Sequence, residues 1–272
     1  AELAALGVCG LTIDERHGGH GLDVVAAVAV IEELSRAGAF LAGPFIHCAF
    51  YGGLNISENG SEAQKAELLP KLARGELLFA YGLSEPDVGG DLASVRTRAH
   101  IEGDTIVVNG AKRWCTGADW ADHIYCLVNS DRDAPKRQAL SFLLIPRGTP
   151  GVNVTPIEHS NLRYTASCDV HFDDVRLPLE AIVGGREKWC QGWSMLAGRA
   201  LDVEKLEITA VTFGIAQAAV EEAWQYAQER TQFGKPLAGF QLTQAKLASM
   251  STELQLGLLL ALHLGRLKDT VG

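Results

Sequence analysis

Apolar residues recur along this chain with two different periods, and the period changes twice. Near the start, Val24, Ala27, Val28, Ile31 and Leu34 return every three or four residues, the spacing of one helix face. Asp23 stands where its side chain would cap that helix. Further on, Ser61 and Gln64 have the spacing of a capping box, hydroxyl to backbone N–H and amide back again. They open a helix that carries Leu68 and Leu69 before Pro70. Glycine-rich loops such as Gly18-Gly19-His20-Gly21 separate these pieces.

Beyond these helices the period falls to two. Val95, Thr97, Ala99 and Ile101 alternate with polar neighbours, the pattern of a half-buried strand. Gly103-Asp104 marks a turn, and Thr105–Val108 is β-branched. Asn109-Gly110 predicts a tight hairpin turn with both residues at positive φ. Further strands are predicted at His123–Val128, Ala139–Ile145, Val152–Ile157 and Asp169–Phe172. Short strands in succession, with no helix between them, predict an antiparallel sheet or barrel.

Helical spacing then returns. Leu206, Ala210, Phe213, Val220 and Trp224 belong to one helix from Leu201 to Arg230, which Phe233-Gly234-Lys235-Pro236 ends. A second runs from Phe240 to Leu267. Its Leu254, Leu256, Leu258, Leu259, Leu260, Leu262 and Leu264 make it apolar on nearly every side. Such a helix is expected to be buried between neighbours, some of them from outside this chain. The fold class is therefore α+β. An N-terminal helical domain spans residues 1–78, a central antiparallel β-domain 79–187, and the first part of a C-terminal helical bundle 188–272.

Composition narrows the function. Hydrophobic residues make up 47% of the 272 and charged residues 21%, which excludes disordered and collagen-like chains. The net charge, 24 − 33 = −9, argues against a general nucleic-acid partner, because affinity there comes from neutralising phosphates. The longest unbroken apolar runs, Val24–Ile31 and Leu256–Leu262, fall short of the roughly 20 residues that cross a bilayer, so no membrane span is predicted. The first residues lack the pattern of a signal peptide. Six cysteines without C-x-x-C spacing read as buried thiols in a reducing compartment. The eight histidines show no metal-ligand spacing, so no metal site is predicted. No G-x-G-x-x-G dinucleotide loop and no phosphate-binding P-loop is present. The chain starts at Ala1 inside an apolar pattern and stops at Gly272 just after a helical one, so both ends read as cut.

Three segments carry candidate chemistry. The first is Tyr81-Gly82-Leu83-Ser84-Glu85-Pro86-Asp87-Val88-Gly89-Gly90-Asp91, where glycines would let backbone approach a ligand; a plain inter-domain loop is the alternative. The second runs from Asn109 to Ala118 and holds Trp114 and Thr116 two apart, hence on one strand face. An indole wall beside a hydroxyl suits a flat heteroaromatic ring; a core tryptophan is the alternative. The third, Arg230 to Pro236 followed by Phe240-Gln241, places a cation and an aromatic ring at a glycine turn. It could hold an anionic group and stack a base, or the arginine could simply cap its helix.

Together, in this order and spacing, the three resemble the acyl-CoA dehydrogenase family of flavoproteins. That family carries a Thr/Ser-Glu-Pro-x-x-Gly-Ser/Gly-Asp loop, an Asn-Gly-x-Lys-x-Trp hairpin and an Arg-x-x-Phe-Gly turn with a later Gln. Pro70 to Glu76 and Phe172 to Pro178 match as well, and the resemblance covers essentially the whole chain. It implies an N-terminal helical domain, a β-domain of two packed sheets, a C-terminal four-helix bundle, and FAD as cofactor.

By that resemblance Tyr81, Leu83 and Ser84 line the flavin, Trp114 packs on its ring system and Thr116 donates to it. Gly89 and Gly90 approach the FAD pyrophosphate or the acyl-CoA, Gly90 standing where Ser is usual. Arg230, Phe233 and Gln241 reach the FAD of a neighbouring subunit. Thr165 and Lys205 match substrate-side positions near the CoA moiety. The implied reaction is α,β-desaturation of an acyl-CoA thioester in fatty acid β-oxidation. A carboxylate takes the α-proton, the β-hydrogen leaves as hydride to flavin N5, and electrons pass to an electron-transferring flavoprotein.

Most members place the catalytic carboxylate beyond the point matching Gly272. A minority place it on the first long C-terminal helix, where Glu204 stands; a helix-surface or CoA-side carboxylate is the alternative. A homo-oligomer, dimer or tetramer, is implied. So is a cytoplasmic location in a bacterium, or the mitochondrial matrix in a eukaryote. A flavin oxidase or monooxygenase on the same scaffold is the competing activity. A non-catalytic flavoprotein with a regulatory or nucleic-acid role is the competing class.

Overall fold

The computed structural model describes residues 2–21, 23–160 and 165–271. Its long helices are α1 (Val24–Ala37), α2 (Glu62–Ala73), α3 (Arg199–Glu229) and α4 (Gln241–Val271). By contact the chain groups into two compact units, one of residues 1–22 and 43–202, the other of 23–42 and 203–272. Helix α1 thus belongs with the C-terminal helices, not with its neighbours in sequence.

In the first unit, strands β1 (Phe79–Gly82), β2 (Arg98–Glu102), β3 (Thr105–Thr116), β4 (His123–Asn129), β5 (Leu140–Pro146), β6 (Val152–Pro156) and β7 (Ser167–Pro178) form one sheet. It has two wings, β1-β4-β5 and β2-β3-β7-β6, which meet in register at the single pair Arg98↔Asn129. The two packed sheets that the resemblance implied are these wings, joined at that one pair. Ile124, Cys126, Leu143 and Ile145 of one wing share a buried cluster with Ile106, Val108, Val170 and Val175 of the other. Pairing is antiparallel except for β1 with β4 and the β2–β4 contact.

The hairpin turn predicted at Asn109-Gly110 is not there. The turn is Gly103-Asp104, between the paired residues Glu102 and Thr105, and β3 runs straight on through Asn109. Gly110 instead serves a close approach. A Cβ there would sit 2.6 Å from the Thr97 Cα, and its φ is 148°. Opposite Asn109, β7 bulges: Val108 pairs with Val175 but Gly110 with Phe172, and Asp174 takes φ 48°. A second bulge lies on β3, where Arg113 and Trp114 oppose the single residue Asp169 between the pairs Lys112↔Val170 and Cys115↔Cys168.

The predicted caps form. The Asp23 carboxylate accepts from Ala26 N at 2.7 Å, and Ser61 and Gln64 exchange both bonds of a capping box. Gln64 also donates to the carbonyls of Glu180 and Ile182, each at 2.9 Å, which ties α2 to the chain after β7. Five cysteines are buried and Cys190 half-buried, all of them free thiols.

A π-helical stretch, His47–Leu54, packs beneath β1. His47 Nδ1 donates to the Phe79 carbonyl at 2.7 Å, and burial pushes the imidazole down to about 4 against that bond. Because the folded value lies below the ordinary 6.5, this group's contribution is full above that pH and is lost as pH falls towards 4. The stability gap between wild type and His47→Gln should therefore shrink by on the order of 2 kcal/mol from pH 7 to pH 5. Urea unfolding at both pH values checks this, and an unchanged gap would show that His47 does not titrate.

The second unit packs α1, α3 and α4. Asp269 of α4 accepts from Val24 N and Val25 N at 3.0 and 3.3 Å, placing a negative charge at the positive end of α1. A Cβ on Gly214 of α3 would fall 2.3 Å from the Glu32 carbonyl oxygen of α1, so the two helices touch backbone to backbone. A short hairpin, β8 (Thr231–Gln232) and β9 (Lys235–Pro236), links α3 to α4.

Two apolar segments differ in how far this chain covers them. Leu247, Leu254 and Ala261, seven residues apart, form one buried stripe on α4, but Leu256, Leu259 and Leu260 are 63%, 61% and 57% exposed. In this chain α4 is therefore covered on one side only. Unbroken runs also understate the apolar length. Ala39–Asn59 and Gln241–Thr270 are each long and apolar enough to cross a bilayer by length and composition, the first mostly buried, the second 17% buried. Glycines and single polar residues interrupt the runs, yet the mean hydropathy stays at 1.2 and 1.3.

Candidate functional site

The first candidate loop follows β1. Tyr81 stacks on Tyr51 with centroids 4.1 Å apart, and Asn55 Nδ2 donates to its hydroxyl at 2.5 Å. Glu85 and Val88 then exchange N–H···O bonds at 2.8 and 3.1 Å, which folds Pro86-Asp87 into a tight turn. The turn leaves Gly89 and Gly90 exposed, with nothing within 4 Å of a Cβ at either. Gly89 borders a cavity of about 400 Å³ whose wall includes Arg96 and Lys136. These cations already face Asp87 and Asp91, at 3.5 and 3.6 Å.

The second candidate segment is the β3 bulge. Trp114 sits at φ 64° and is 56% exposed, so the core-tryptophan alternative does not hold. Trp114 is exposed and Thr116 half-buried on either side of buried Cys115, and the positive φ of Trp114 in the bulge interrupts the period of two between them. The Arg113 guanidinium lies 4.8 Å from the indole centroid and 3.5 Å from Asp169 Oδ2. Thr116 Oγ1 and Ser167 Oγ are hydrogen-bonded at 3.0 Å. Positive φ on a bulky residue costs energy and persists where surrounding structure enforces it.

The fold joins these two segments. Arg113 N donates to the Ser84 carbonyl at 2.9 Å, and Lys112 Nζ donates to the Leu83 carbonyl at 3.0 Å. Leu83, Ser84, Trp114 and Thr116 are thus brought together within the first unit. Thr165 is 8% exposed, two residues before β7. Its neighbours Arg163 and Tyr164 lie outside the described residues.

The remaining candidates lie in the second unit. Glu204, on α3, is half-buried, and burial pushes its carboxyl up to about 7 against the opposing Lys205 ammonium. Lys205 is exposed. Three residues on, Glu207 is 1% exposed, its Oε2 has no hydrogen-bond partner, and burial holds its carboxyl well above the usual range. Arg230, Phe233 and Gln241 are all exposed around the β8–β9 hairpin. Phe233 is 93% exposed at its tip with φ 51°, followed by Gly234 at 79°.

Sequence reasoning assigned no role to three charged residues that the structure buries or half-buries: Lys112, Glu85 and Asp169. A signal was present for Lys112, an inward strand position occupied by a charge. Glu207 also went unnoticed, although it shares a helix face with Glu204.

Models of the acyl-CoA dehydrogenase N-terminal, middle and C-terminal domains match residues 1–76, 80–175 and 190–272. The chain is 32% identical over 269 residues to a protein of Bacillus subtilis (strain 168) named "Probable acyl-CoA dehydrogenase YngJ", covering 98% of this chain and 70% of that one. Among solved structures, a glutaryl-coenzyme A dehydrogenase in complex with glutaryl-CoA superposes with a TM-score of 0.92 at 32% identity, covering 98% of this chain and 67% of that one. A glutaryl-CoA dehydrogenase from Mycobacterium smegmatis in complex with FADH2 superposes with a TM-score of 0.86 at 32% identity, covering 100% and 67%. Fold, motif positions and identity along nearly the whole length agree, and this chain belongs to the acyl-CoA dehydrogenase family.

Proposed function

We propose that this chain carries the flavin cradle and part of the active site of an FAD-dependent acyl-CoA dehydrogenase that desaturates an acyl-CoA thioester between Cα and Cβ. One observation carries the reading: an exposed indole, Trp114, held at positive φ beside the hydroxyl-bearing Thr116 and tied to the Leu83-Ser84 loop. A flat, partly polar ring system fits that surface. The open backbone at Gly89 and Gly90 leaves room for a diphosphate to approach.

In this reading Trp114 covers one face of the isoalloxazine, and Tyr81, Leu83, Ser84 and Thr116 line its edge. Gly89 and Gly90 admit the pyrophosphate. Arg230, Phe233 and Gln241 hold the FAD of a second subunit in a homo-oligomer. The exposed leucines of α4 are apolar surface that such an assembly would bury. Gly90, Thr165 and Lys205 face the CoA portion. FAD, when bound, supplies the acceptor for the β-hydrogen's electron pair.

The protein's own chemical task is to remove the α-proton. In this reading that task falls to Glu204, which stands on the first long C-terminal helix where a minority of the family carries its base, and whose half-buried carboxyl, pushed up to about 7 by burial, is basic enough at neutral pH. Burial is the cause, so no like-charged neighbour is needed to explain it. Electrons leave to an electron-transferring flavoprotein.

The test is to incubate the FAD-loaded holoenzyme with saturated straight-chain, branched and dicarboxylic acyl-CoAs and an acceptor dye. Products are then weighed by mass spectrometry. Loss of two hydrogens from one class supports the reading and names the substrate. Peroxide formation in air at a comparable rate would assign the scaffold to an oxidase instead.

A further inference from the structure

Lys112 and Glu85 form an ion pair of 2.8 Å whose side chains are 0% and 5% exposed. Three segments converge on it. From the loop after β1 come Glu85 itself and the Leu83 carbonyl, which accepts from Lys112 Nζ at 3.0 Å. From the segment before β2 come Arg96 N and Thr97 N, which donate to Glu85 Oε2 and Oε1 at 2.6 and 2.8 Å. From β3 comes Lys112, followed by Arg113, whose N–H reaches the Ser84 carbonyl. Thr97 Oγ1 closes the ring by donating to the Ala111 carbonyl at 3.1 Å. Burial alone would push the Glu85 carboxyl up, but the Lys112 ammonium and the two backbone donors outweigh it and hold it below the usual carboxylate range.

A buried ion pair is poor evidence of net stability, since apolar residues of similar shape often do as well. What it does supply here is position. Lys112 is the last β3 residue in regular register before the bulge, and Trp114 follows at φ 64°. Within the bulge, Arg113 is held by Asp169 and lies over the indole. The strained residue is therefore pinned from its N-terminal side by a salt link inside the protein and from outside by a second one.

We propose that Lys112 and Glu85 are positioning residues that lock the β3 bulge to the Leu83-Ser84 loop and so fix the orientation of the Trp114 indole. This rests on the reading of that surface as a flavin site. It goes beyond that reading by assigning the alignment of the ring platform to a charge pair that touches no ligand.

The test uses the full chain labelled with 5-fluorotryptophan. Its five tryptophans give five fluorine resonances, and Trp114 is assigned by Trp114→Phe. The double variant Lys112→Met/Glu85→Gln removes both charges and leaves a carbonyl for the backbone donors. In the ligand-free protein its Trp114 resonance should move or split while the other four hold their positions. FAD affinity, by equilibrium dialysis, should fall tenfold or more. A Trp114 resonance and an FAD affinity both within error of wild type would overturn the proposal. Should the double variant not fold, Glu85→Gln alone, equal in size, is judged by the same two criteria. If wild type itself takes up no FAD, the flavin reading fails, and the fluorine spectrum of the ligand-free variant still decides the clamp.

Discussion

Replacing Glu204 by glutamine should lower desaturation by about a thousandfold, the usual scale for loss of a general base, while FAD affinity stays nearly constant. The amide keeps the shape of the side chain and removes only its basicity. In the wild-type holoenzyme, kcat/KM should fall about tenfold per pH unit below about 7 as the raised carboxyl takes up its proton. In Glu204→Gln the residual rate should be flat across that range.

Stability should move the other way. The folded value lies above the ordinary 4.5, so ionising Glu204 in the folded state costs stability as pH rises from there through about 7. Glutamine should therefore be more stable than wild type at pH 8 by roughly 3 kcal/mol, and the gain should vanish below pH 4. Loss of rate with a gain in stability is the mark of a residue kept for chemistry. Full activity in Glu204→Gln would return the residue to a CoA-side or helix-surface role.

Alanine at Gly110 should be as damaging to the fold as glutamine at 204 is to the rate. Its Cβ would fall 2.6 Å from the Thr97 Cα and 2.8 Å from Thr97 Oγ1, at a φ of 148° that L residues rarely adopt. Overpacking against backbone and an unfavourable φ each cost on the order of 1–3 kcal/mol. Together they should lower Tm by roughly 10 °C. Thr97 also carries the N–H that Glu85 accepts, so the displaced strand should disturb the cradle as well, and FAD uptake should drop. Gly89→Ala is the control: no atom lies within 4 Å of its Cβ position, and its Tm should stay within about a degree. Differential scanning calorimetry of the three proteins checks both, and equal Tm values for Gly110→Ala and wild type would show that Thr97 moves aside without cost.

These cases show which features were legible in the residues. Local chemistry read well. The Asp23 cap and the Ser61–Gln64 box follow from spacing alone, because each depends on residues within one turn. Asn109-Gly110 misled for a physical reason: the dipeptide favours a hairpin turn, but its glycine answers a distant segment, Thr97, that comes within contact only after the sheet forms. The Lys112–Glu85 pair was invisible for the same reason, since the two residues are 27 positions apart. The Leu-rich helix was read correctly as apolar all round, yet one chain supplies a partner for only one stripe of it.

The most direct measurement is an anaerobic half-reaction. FAD-loaded protein is mixed with a stoichiometric excess of saturated acyl-CoA, with no external acceptor and oxygen removed, while the visible band of the oxidised flavin is followed. If the chain belongs to an acyl-CoA desaturating enzyme, the band bleaches with at least one acyl-CoA and the matching enoyl-CoA appears in equal amount. A band that stays fully oxidised against every acyl-CoA class, in protein shown to hold FAD stoichiometrically, would contradict it.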